Sequence, residues 1–338
     1  MKKKILFYSS VSSISLFETQ KFYKTDISIL KELDFDVVVT NKISDFLFFW
    51  KYNIAFVYFY RYGLFVSVLA RLFGKKVFFT GGIDDLDSSY ATTRAYFIQK
   101  VLFKLCYFFS NKSILVSTSD CENVKKIYRG VLPSKARISF HSIEVYALMC
   151  KDSQKKGSDF TTIAWMGTKQ NVIRKGVDLS LHLFSLLIKK YPEYALSKFI
   201  IIGKKGVGTD YLFALCSKLS ILDKVVFTGE VDERTKIDLL KRSCYYMQLS
   251  QYEGFGIAAT EALLAQNIVI NSGRGGLIDS VGCYGIRVNI NEDLAKQIAS
   301  LHQRMQHIDL GFLKSGEKYV IDNFSYSIRK NDLKDIIG

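Results

Sequence analysis

The sequence predicts an α/β protein of two doubly wound domains in tandem, and three observations carry that prediction. Short apolar runs alternate with helical patterns along nearly the whole chain, which is how strand-helix-strand units that build parallel sheets read. The alternation lapses at Cys150–Asp159, a polar stretch without periodicity, and then restarts. The chain has 338 residues, more than one domain usually holds. The boundary is therefore placed near residue 150, giving a first domain of residues 1–150 and a second that begins at residue 151.

The predicted strands of the first domain are Ile5 to Tyr8, Asp36 to Thr40, Ile54 to Tyr60, Lys76 to Thr80 and Ser113 to Thr118. Those of the second are Thr162 to Met166, Lys198 to Ile202, Lys224 to Thr228, Tyr245 to Leu249 and Ile268 to Asn271. Each is a short apolar run bounded by turn or helix signals, as buried parallel strands require.

Apolar residues make up 49% of the chain and mean hydropathy is +0.10, which excludes disordered and fibrous classes. Cys106, Cys121, Cys150, Cys216, Cys244 and Cys283 form no C-x-x-C pair, so neither a disulfide framework nor a zinc site is expected, and a reducing cytoplasm is the simplest setting. The basic start Met1-Lys-Lys-Lys4 is followed by too short an apolar run for a signal peptide. Ile54 to Phe73 comes nearest to a membrane span, but Arg61 and Arg71 interrupt it and Gly63 divides it.

The 47 Lys and Arg against 32 Asp and Glu give a net charge of +15. Residues 1–150 carry 21 basic and 12 acidic side chains. Phe46 to Phe109 holds 21 of the 48 aromatic residues, more than twice an even share. Most of these rings belong in a core. Phe46-Leu-Phe-Phe-Trp-Lys-Tyr52, however, holds more rings than a short connection can bury, and with Lys42, Lys51, Lys75 and Lys76 it suggests contact with an anionic bilayer surface. No base-stacking motif or basic repeat points to nucleic acid.

The segment most informative about chemistry is Ser250-Gln-Tyr-Glu-Gly-Phe-Gly-Ile-Ala-Ala-Thr-Glu-Ala-Leu-Leu264. A strand gives way to a loop containing Gly254 and Gly256, and a helix begins near Ile257, so backbone N–H groups from Phe255 onward form an anion site suited to phosphate. Separately, Glu253 reads as a solvated loop acid and Glu261 as a helix-dipole partner. Together, beside a phosphate site, two carboxylates repel a ligand unless they bind another part of it, such as sugar hydroxyls. The pair points to a sugar nucleotide. Upstream, Ile163-Ala-Trp-Met-Gly-Thr-Lys-Gln-Asn-Val-Ile-Arg-Lys-Gly-Val-Asp178 reads as a strand, a glycine turn, a basic loop and a helix through Leu179 to Lys189. Arg174 and Lys175 place two cations before Gly176, at the carboxyl edge of a parallel sheet, where a diphosphate leaving group needs its charge neutralised.

Tyr252-Glu-Gly-Phe-Gly-Ile257 with Glu261, preceded by Val226-Phe-Thr-Gly229 and by Met166-Gly167 and Arg174-Lys-Gly176, resembles the donor domain of the retaining glycosyltransferases of family four, the glycosyl transferases group 1 with GT-B fold. Asn271-Ser-Gly-Arg-Gly-Gly-Leu277 resembles the family's glycine-rich loop, and Phe79-Thr-Gly-Gly-Ile-Asp84 matches the first domain more weakly. The resemblance implies two Rossmann-like domains facing across a cleft, an acceptor-binding one of residues 1–150 and a nucleotide-sugar-binding one of residues 151–322, with a last helix in residues 323–338 returning to the first.

On matching positions it implies that Lys175 with Arg174 holds the diphosphate, Glu261 the ribose, and Glu253 with Gly254, Phe255, Gly256 and Ile257 the transferred sugar. Gly167, Thr168, Gly275 and Gly276 fall on the donor side, Val231 near the base, and Gly81, Gly82 and Asp84 on the acceptor side. Two departures stand out: Gly167-Thr168 where the family has Gly-Arg, and Gly81-Gly-Ile-Asp84 where it has His-Gly-x-Asp. The implied function is transfer of a hexose-type sugar, with retention, from a UDP- or GDP-sugar to a hydroxyl of a lipid-linked or surface glycan. An epimerase on the same architecture and a non-catalytic nucleotide-sugar binder are the alternatives.

No metal or other cofactor is expected. Asp85-Leu-Asp87 has a metal-binding spacing that belongs with a different fold, Gly203-Lys-Lys-Gly206-Val-Gly208 is not a dinucleotide fingerprint, and His141, His182, His302 and His307 lack ligand spacing.

Overall fold

A computed structural model describes residues 2–145 and 157–338. Most of the expected linker, Cys150–Asp159, lies outside the described residues, as does Cys150 itself. Contacts divide the chain into two compact units, Met1–Ser142 with Phe324–Gly338, and Ile143–Asn323.

The first unit holds a six-stranded sheet of order β2-β1-β3-β4-β5-β6, parallel throughout. Its strands are β1 (Lys4–Tyr8), β2 (Asp36–Thr40), β3 (Ile54–Tyr58), β4 (Lys76–Thr80), β5 (Lys112–Leu115) and β6 (Ala136–Ile138). Successive side chains point to opposite faces, so each strand feeds two cores. Leu6, Tyr8, Val57 and Phe79 face the helices Gly63–Leu72 and Thr93–Phe109. Ile5, Phe7, Phe56 and Phe78 face the opposite core, with residues of Lys21–Glu32 and Tyr326–Ile337. Gly63 lets its helix close on the sheet, since a Cβ there would lie 2.4 Å from the Phe79 ring.

The second unit holds another six-stranded parallel sheet, of order β12-β11-β10-β7-β8-β9. The strands are β7 (Phe160–Ile163), β8 (Phe199–Ile202), β9 (Val225–Gly229), β10 (Tyr245–Gln248), β11 (Ile268–Asn271) and β12 (Gly285–Arg287). The chain runs outward from β7 through β9, then crosses back to place β10 on the other side of β7. Helix Val177–Lys190, buried through Leu181, Phe184 and Leu187, packs beneath this reversal. The fold is thus the α/β class expected, with both sheets parallel.

The differences from the sequence reading are local. Strand β7 stops at Ile163 rather than Met166, beside a bend at Gly203, whose φ of +145° and close approach to the Ala164 carbonyl exclude a side chain. Strand β3 ends at Tyr58 rather than Tyr60, because Phe59 turns to φ +66°. Strand β5 ends at Leu115, since Ser117 is already a helix cap, its Oγ accepting from Asp120 N at 3.0 Å. The expected basic loop before Gly176 is instead a short helix, Lys169–Arg174, opened by the Thr168 hydroxyl, which accepts from Asn171 N at 3.1 Å. The two edge strands β6 and β12 went unread, being three residues each and too short to show a period.

Five of the cysteines, Cys106, Cys121, Cys216, Cys244 and Cys283, are free thiols. Among the described residues no helix is long and apolar enough to cross a membrane, and Ile54 to Phe73 divides into β3 and the Gly63–Leu72 helix.

One buried ion pair organises the first unit. Arg329, 1% exposed on the terminal helix Tyr326–Ile337, donates from Nε to Asp26 Oδ1 at 3.0 Å and from Nη2 to Oδ2 at 2.7 Å. Its Nη1 donates to the Ser139 carbonyl at 2.8 Å, and Tyr58 OH donates to Asp26 Oδ2 at 2.6 Å. The pair joins the last helix to Lys21–Glu32 and to the end of β6. Arg329→Met leaves the Asp26 carboxylate buried beside no cation, so chemical denaturation should show a loss of about 3–5 kcal/mol, with a large part recovered in Asp26→Leu/Arg329→Met.

His141 packs next to this cluster, 6.5 Å from the Tyr58 ring. Burial, with the nearby Arg329 charge, lowers its pKa from 6.5 to about 3. A histidine depressed in the folded state contributes stability that is complete above its unfolded value and lost as pH falls. Between pH 6.5 and 3, stability should drop by up to about 1.4 kcal/mol per pH unit from this group alone. Denaturation curves of His141→Gln across that window should show a shallower decline.

Candidate active site

The loops after β7 and β10 leave the second sheet side by side at the point where its strand order reverses. Open parallel sheets hold ligands outside the carboxyl ends of their strands at such a point, because the two loops diverge there. The sequence-derived donor residues of the β7 and β10 connections converge on it.

Lys175 and Glu253 meet directly, with Nζ 2.6 Å from Oε2. Gln248 Nε2, at the end of β10, donates to the same oxygen at 2.9 Å, and Ser250 Oγ donates at 3.4 Å. All three bonds fall on Oε2 rather than Oε1. Burial pushes the Glu253 carboxyl up, but Lys175, Arg174 and the hydrogen bonds from Lys175 and Gln248 outweigh it, so its pKa sits below the usual value and it is ionised at neutral pH. Tyr246 OH donates to Gln248 Oε1 at 3.1 Å, which fixes the Gln248 amide. Gln248 was not singled out in the sequence, where one amide at a strand end carries no signal.

Gly176 makes the pair possible. It lies at φ +65°, and a Cβ would be 1.9 Å from the Leu249 carbonyl oxygen. Only glycine lets the end of the Lys169–Arg174 helix pass this close to the end of β10, which brings Lys175 to Glu253. Arg174 braces the same loop: Nη1 donates to the Tyr252 carbonyl at 3.4 Å, Nη2 donates to Asn171 Oδ1 at 3.0 Å, and its own carbonyl accepts from Gln251 N at 2.8 Å. Gly167 lies against the Trp165 ring and Thr168 caps the short helix.

Gly254 and Phe255 form the turn into the helix Ile257–Leu264, and Gly256 at φ +98° is its cap residue. The glycine-rich loop after β11 packs on this turn: Gly276 N donates to the Glu253 carbonyl at 2.6 Å, and a Cβ on Gly275 would lie 2.2 Å from that oxygen. Gly275 and Gly276 therefore set the backbone carrying Glu253.

Glu261 is 2% exposed on the Ile257–Leu264 helix, and Lys236 Nζ donates to both its oxygens at 2.9 Å. Lys236 belongs to the helix Glu233–Arg242, which Asp232 caps and which follows Val231 in the short loop after β9. The sequence reading missed Lys236, because a lysine on an amphipathic helix is ordinarily solvated. The pair joins the helix of Glu261 to the helix that begins two residues after Val231.

Gly81, Gly82 and Asp84 belong to the first unit, at the carboxyl end of β4. Gly81 has φ +106°, a Cβ there would meet the Phe59 ring at 2.8 Å, and Asp84 opens a short 3-10 turn, Asp84–Leu86. The Ile83 N–H between them donates to the buried Asp120 carboxylate at 3.3 Å. Asp87 Oδ1 accepts from Ser89 N and Oγ in a local turn. Among the described residues no three His, Cys, Asp or Glu side chains are grouped to hold a metal ion.

Residues 154–306 match the family model described as glycosyl transferases group 1. An uncharacterized glycosyltransferase of Methanocaldococcus jannaschii is 30% identical over 160 residues, which is 47% of this chain and 39% of that protein. The GDP-mannose:cellobiosyl-diphosphopolyprenol alpha-mannosyltransferase of Xanthomonas oryzae pv. oryzae is 26% identical over 184 residues, 54% of this chain and 46% of that one. The matched stretches thus span less than half the length of these two relatives. The crystal structure of Anabaena HepE in complex with UDP and glucose superposes with a TM-score of 0.73 at 13% identity, covering 99% of both chains. Residues 154–306 are thus similar to the glycosyl transferases group 1, and the chain's two parallel sheets have the GT-B fold seen in glycosyltransferase structures.

Proposed function

We propose that the protein is a retaining glycosyltransferase that moves a hexose-type sugar from a nucleotide diphosphate donor to a hydroxyl of a lipid-linked or surface glycan. The observation that carries this reading is the Lys175–Glu253 pair at the strand-order reversal, a cation and an ionised carboxylate 2.6 Å apart. A nucleotide sugar needs both: positive charge for its diphosphate and an acceptor for its sugar hydroxyls. The Xanthomonas relative is named for a GDP-mannose donor and a diphosphopolyprenol acceptor, and HepE was crystallised with UDP and glucose, which supports a nucleotide-sugar donor and a lipid-linked acceptor here.

In this reading Lys175 and Arg174 neutralise the diphosphate, Glu261 with Lys236 binds the ribose, and Val231 lies by the base. Glu253, with the backbone of Gly254 to Ile257, orients the sugar. Three donors already converge on Glu253 Oε2, so the carboxylate is stabilised as an anion and is a poor covalent nucleophile. Retention then proceeds on one face of the sugar. The acceptor oxygen forms its bond to the anomeric carbon as the bond to the β-phosphate oxygen breaks, the electron pair leaves with the phosphate, and the acceptor's proton passes to a β-phosphate oxygen. Catalysis is positioning plus charge stabilisation, with the leaving charge carried by Lys175 and Arg174 and no resident metal. Gly81, Gly82 and Asp84 serve the acceptor. The protein acts in the cytoplasm, at the inner face of the membrane.

Two measurements test the reading. In thermal-shift assays with UDP, GDP, ADP and their sugar conjugates, one nucleotide at about 100 times its Kd should stabilise the protein by about 2.7 kcal/mol, and Glu261→Gln should abolish the shift. In a transfer assay with that donor, Glu253→Gln should lower kcat by about 10²-fold or more with an unchanged circular dichroism spectrum. Wild-type turnover in Glu253→Gln, or silence of the wild-type protein across the nucleotide panel, would sink the assignment.

A further inference from the structure

The first unit carries an apolar face that its own core leaves uncovered. The helices Gly63–Leu72 and Thr93–Phe109 pack side by side on one face of the first sheet, inward through Val66, Ala70, Phe103 and Cys106. Their outward sides are also apolar. Phe97, Val101, Leu105 and Phe108 recur at helical spacing as an exposed stripe, with Phe97 65% and Phe108 71% exposed. On the neighbouring helix Phe65 is 69% and Leu72 75% exposed.

The short connection before β3 extends the face. The sequence reading expected its rings to exceed what could be buried, and the structure divides them: Phe46 and Tyr52 enter the core while Phe48, Phe49 and Trp50 remain exposed. Phe49 stacks on Phe73, just after the first helix, at 4.4 Å, so the connection and the helix end form one surface. Phe48 also lines a cavity of about 460 Å³ at the margin of this face, whose walls mix Leu6, Val38 and Tyr52 with Lys4, Lys51 and Asp45.

Charge identifies the occupant. Neither helix contains an Asp or Glu. From Asp45 to Asp84 the chain has five Lys and Arg and no intervening acid, and from Asp87 to Asp120 it has four and again none. Lys51 lies over the Phe48 ring at 4.7 Å, and Lys100 and Lys104 interleave with the exposed stripe. A surface for a protein partner or a second copy would gain from charges of both signs. An apolar stripe whose two helices carry cations and no acid fits a surface that is apolar within and anionic at its rim.

We propose that this face docks on an anionic lipid bilayer, with the exposed rings at the headgroup level and the flanking Lys and Arg on lipid phosphates. The docking stands on the first unit's surface by itself. Its significance rests on the lipid-linked acceptor proposed above, whose donor site is in the second unit.

The test is co-sedimentation of the full chain with vesicles of phosphatidylcholine alone and of phosphatidylcholine with phosphatidylglycerol, at low and high salt. Binding is expected only to the phosphatidylglycerol vesicles and should weaken as salt rises. Phe65→Ser/Phe97→Ser/Phe108→Ser, all exposed positions, should bind at least tenfold less while keeping the wild-type melting temperature. Its nucleotide thermal shift should also be unchanged, so failure of docking and failure of the donor-site reading are told apart. Equal sedimentation with both vesicle types, no sedimentation, or undiminished binding by the triple variant would overturn the proposal. So would light scattering that shows a dimer dispersed by the triple variant without vesicle binding, since the face would then join two copies.

Discussion

In the second sheet the chain fills one side of β7 with β8 and β9 and then crosses back to lay β10 against the other side. That reversal is the constraint on which the candidate site depends. Loops after strands on the same side of a sheet all veer the same way, whereas those after β7 and β10 part, leaving a crevice between them. Lys175 arrives from one loop and Glu253 from the other. Their approach then dictates the local backbone: glycine at 176, where the short helix passes Leu249, and glycine at 275 and 276, where the next loop presses on the Glu253 carbonyl. The glycines and the charges are therefore one feature, since a side chain at any of these positions would part the ion pair.

Each unit holds a close ion pair, Asp26–Arg329 in the first and Lys175–Glu253 in the second, and these differ in a way that separates structure from chemistry. Asp26 and Arg329 are closed off, with Tyr58, Thr80 and the Ser139 carbonyl completing their hydrogen bonds. Lys175 and Glu253 remain partly open, at 21% and 13% side-chain exposure. A fully enclosed pair contributes position, here holding the last helix of the chain against the first unit. A partly exposed pair keeps atoms facing solvent, and so a ligand, with the field of each charge still strong because little water screens it. Glu261 with Lys236 lies between these cases, its carboxylate enclosed and its lysine reaching the neighbouring helix.

The aromatic wealth of the first unit has two uses in the same elements. Helical spacing sends Phe103 inward and Phe97, Leu105 and Phe108 outward from a single helix, and the connection before β3 does likewise with Phe46 and Phe48. An ordinary amphipathic helix would place charge on that outer side. Here the outer side is apolar and the helix carries cations and no acid, an arrangement the core does not require.

The sequence by itself determined the α/β class, the positions of ten of the strands to within a few residues, and the segments around Lys175 and Glu253 as those bearing charge next to glycine. These are legible because buried parallel strands are short apolar runs, and because Gly254 and Gly256 before a helical pattern mark a loop entering a helix. The edge strands β6 and β12 and the short helix before Gly176 were not legible, since three to six residues show no period and depend on neighbours for their hydrogen bonds. Only the tertiary structure decided the strand order, and with it which loops meet. It also supplied the partners that sequence distance conceals: Gln248 on Glu253, Lys236 on Glu261 and Arg329 on Asp26. Each of those side chains is an ordinary polar residue along the chain, and its role comes from the carboxylate that folding brings to it.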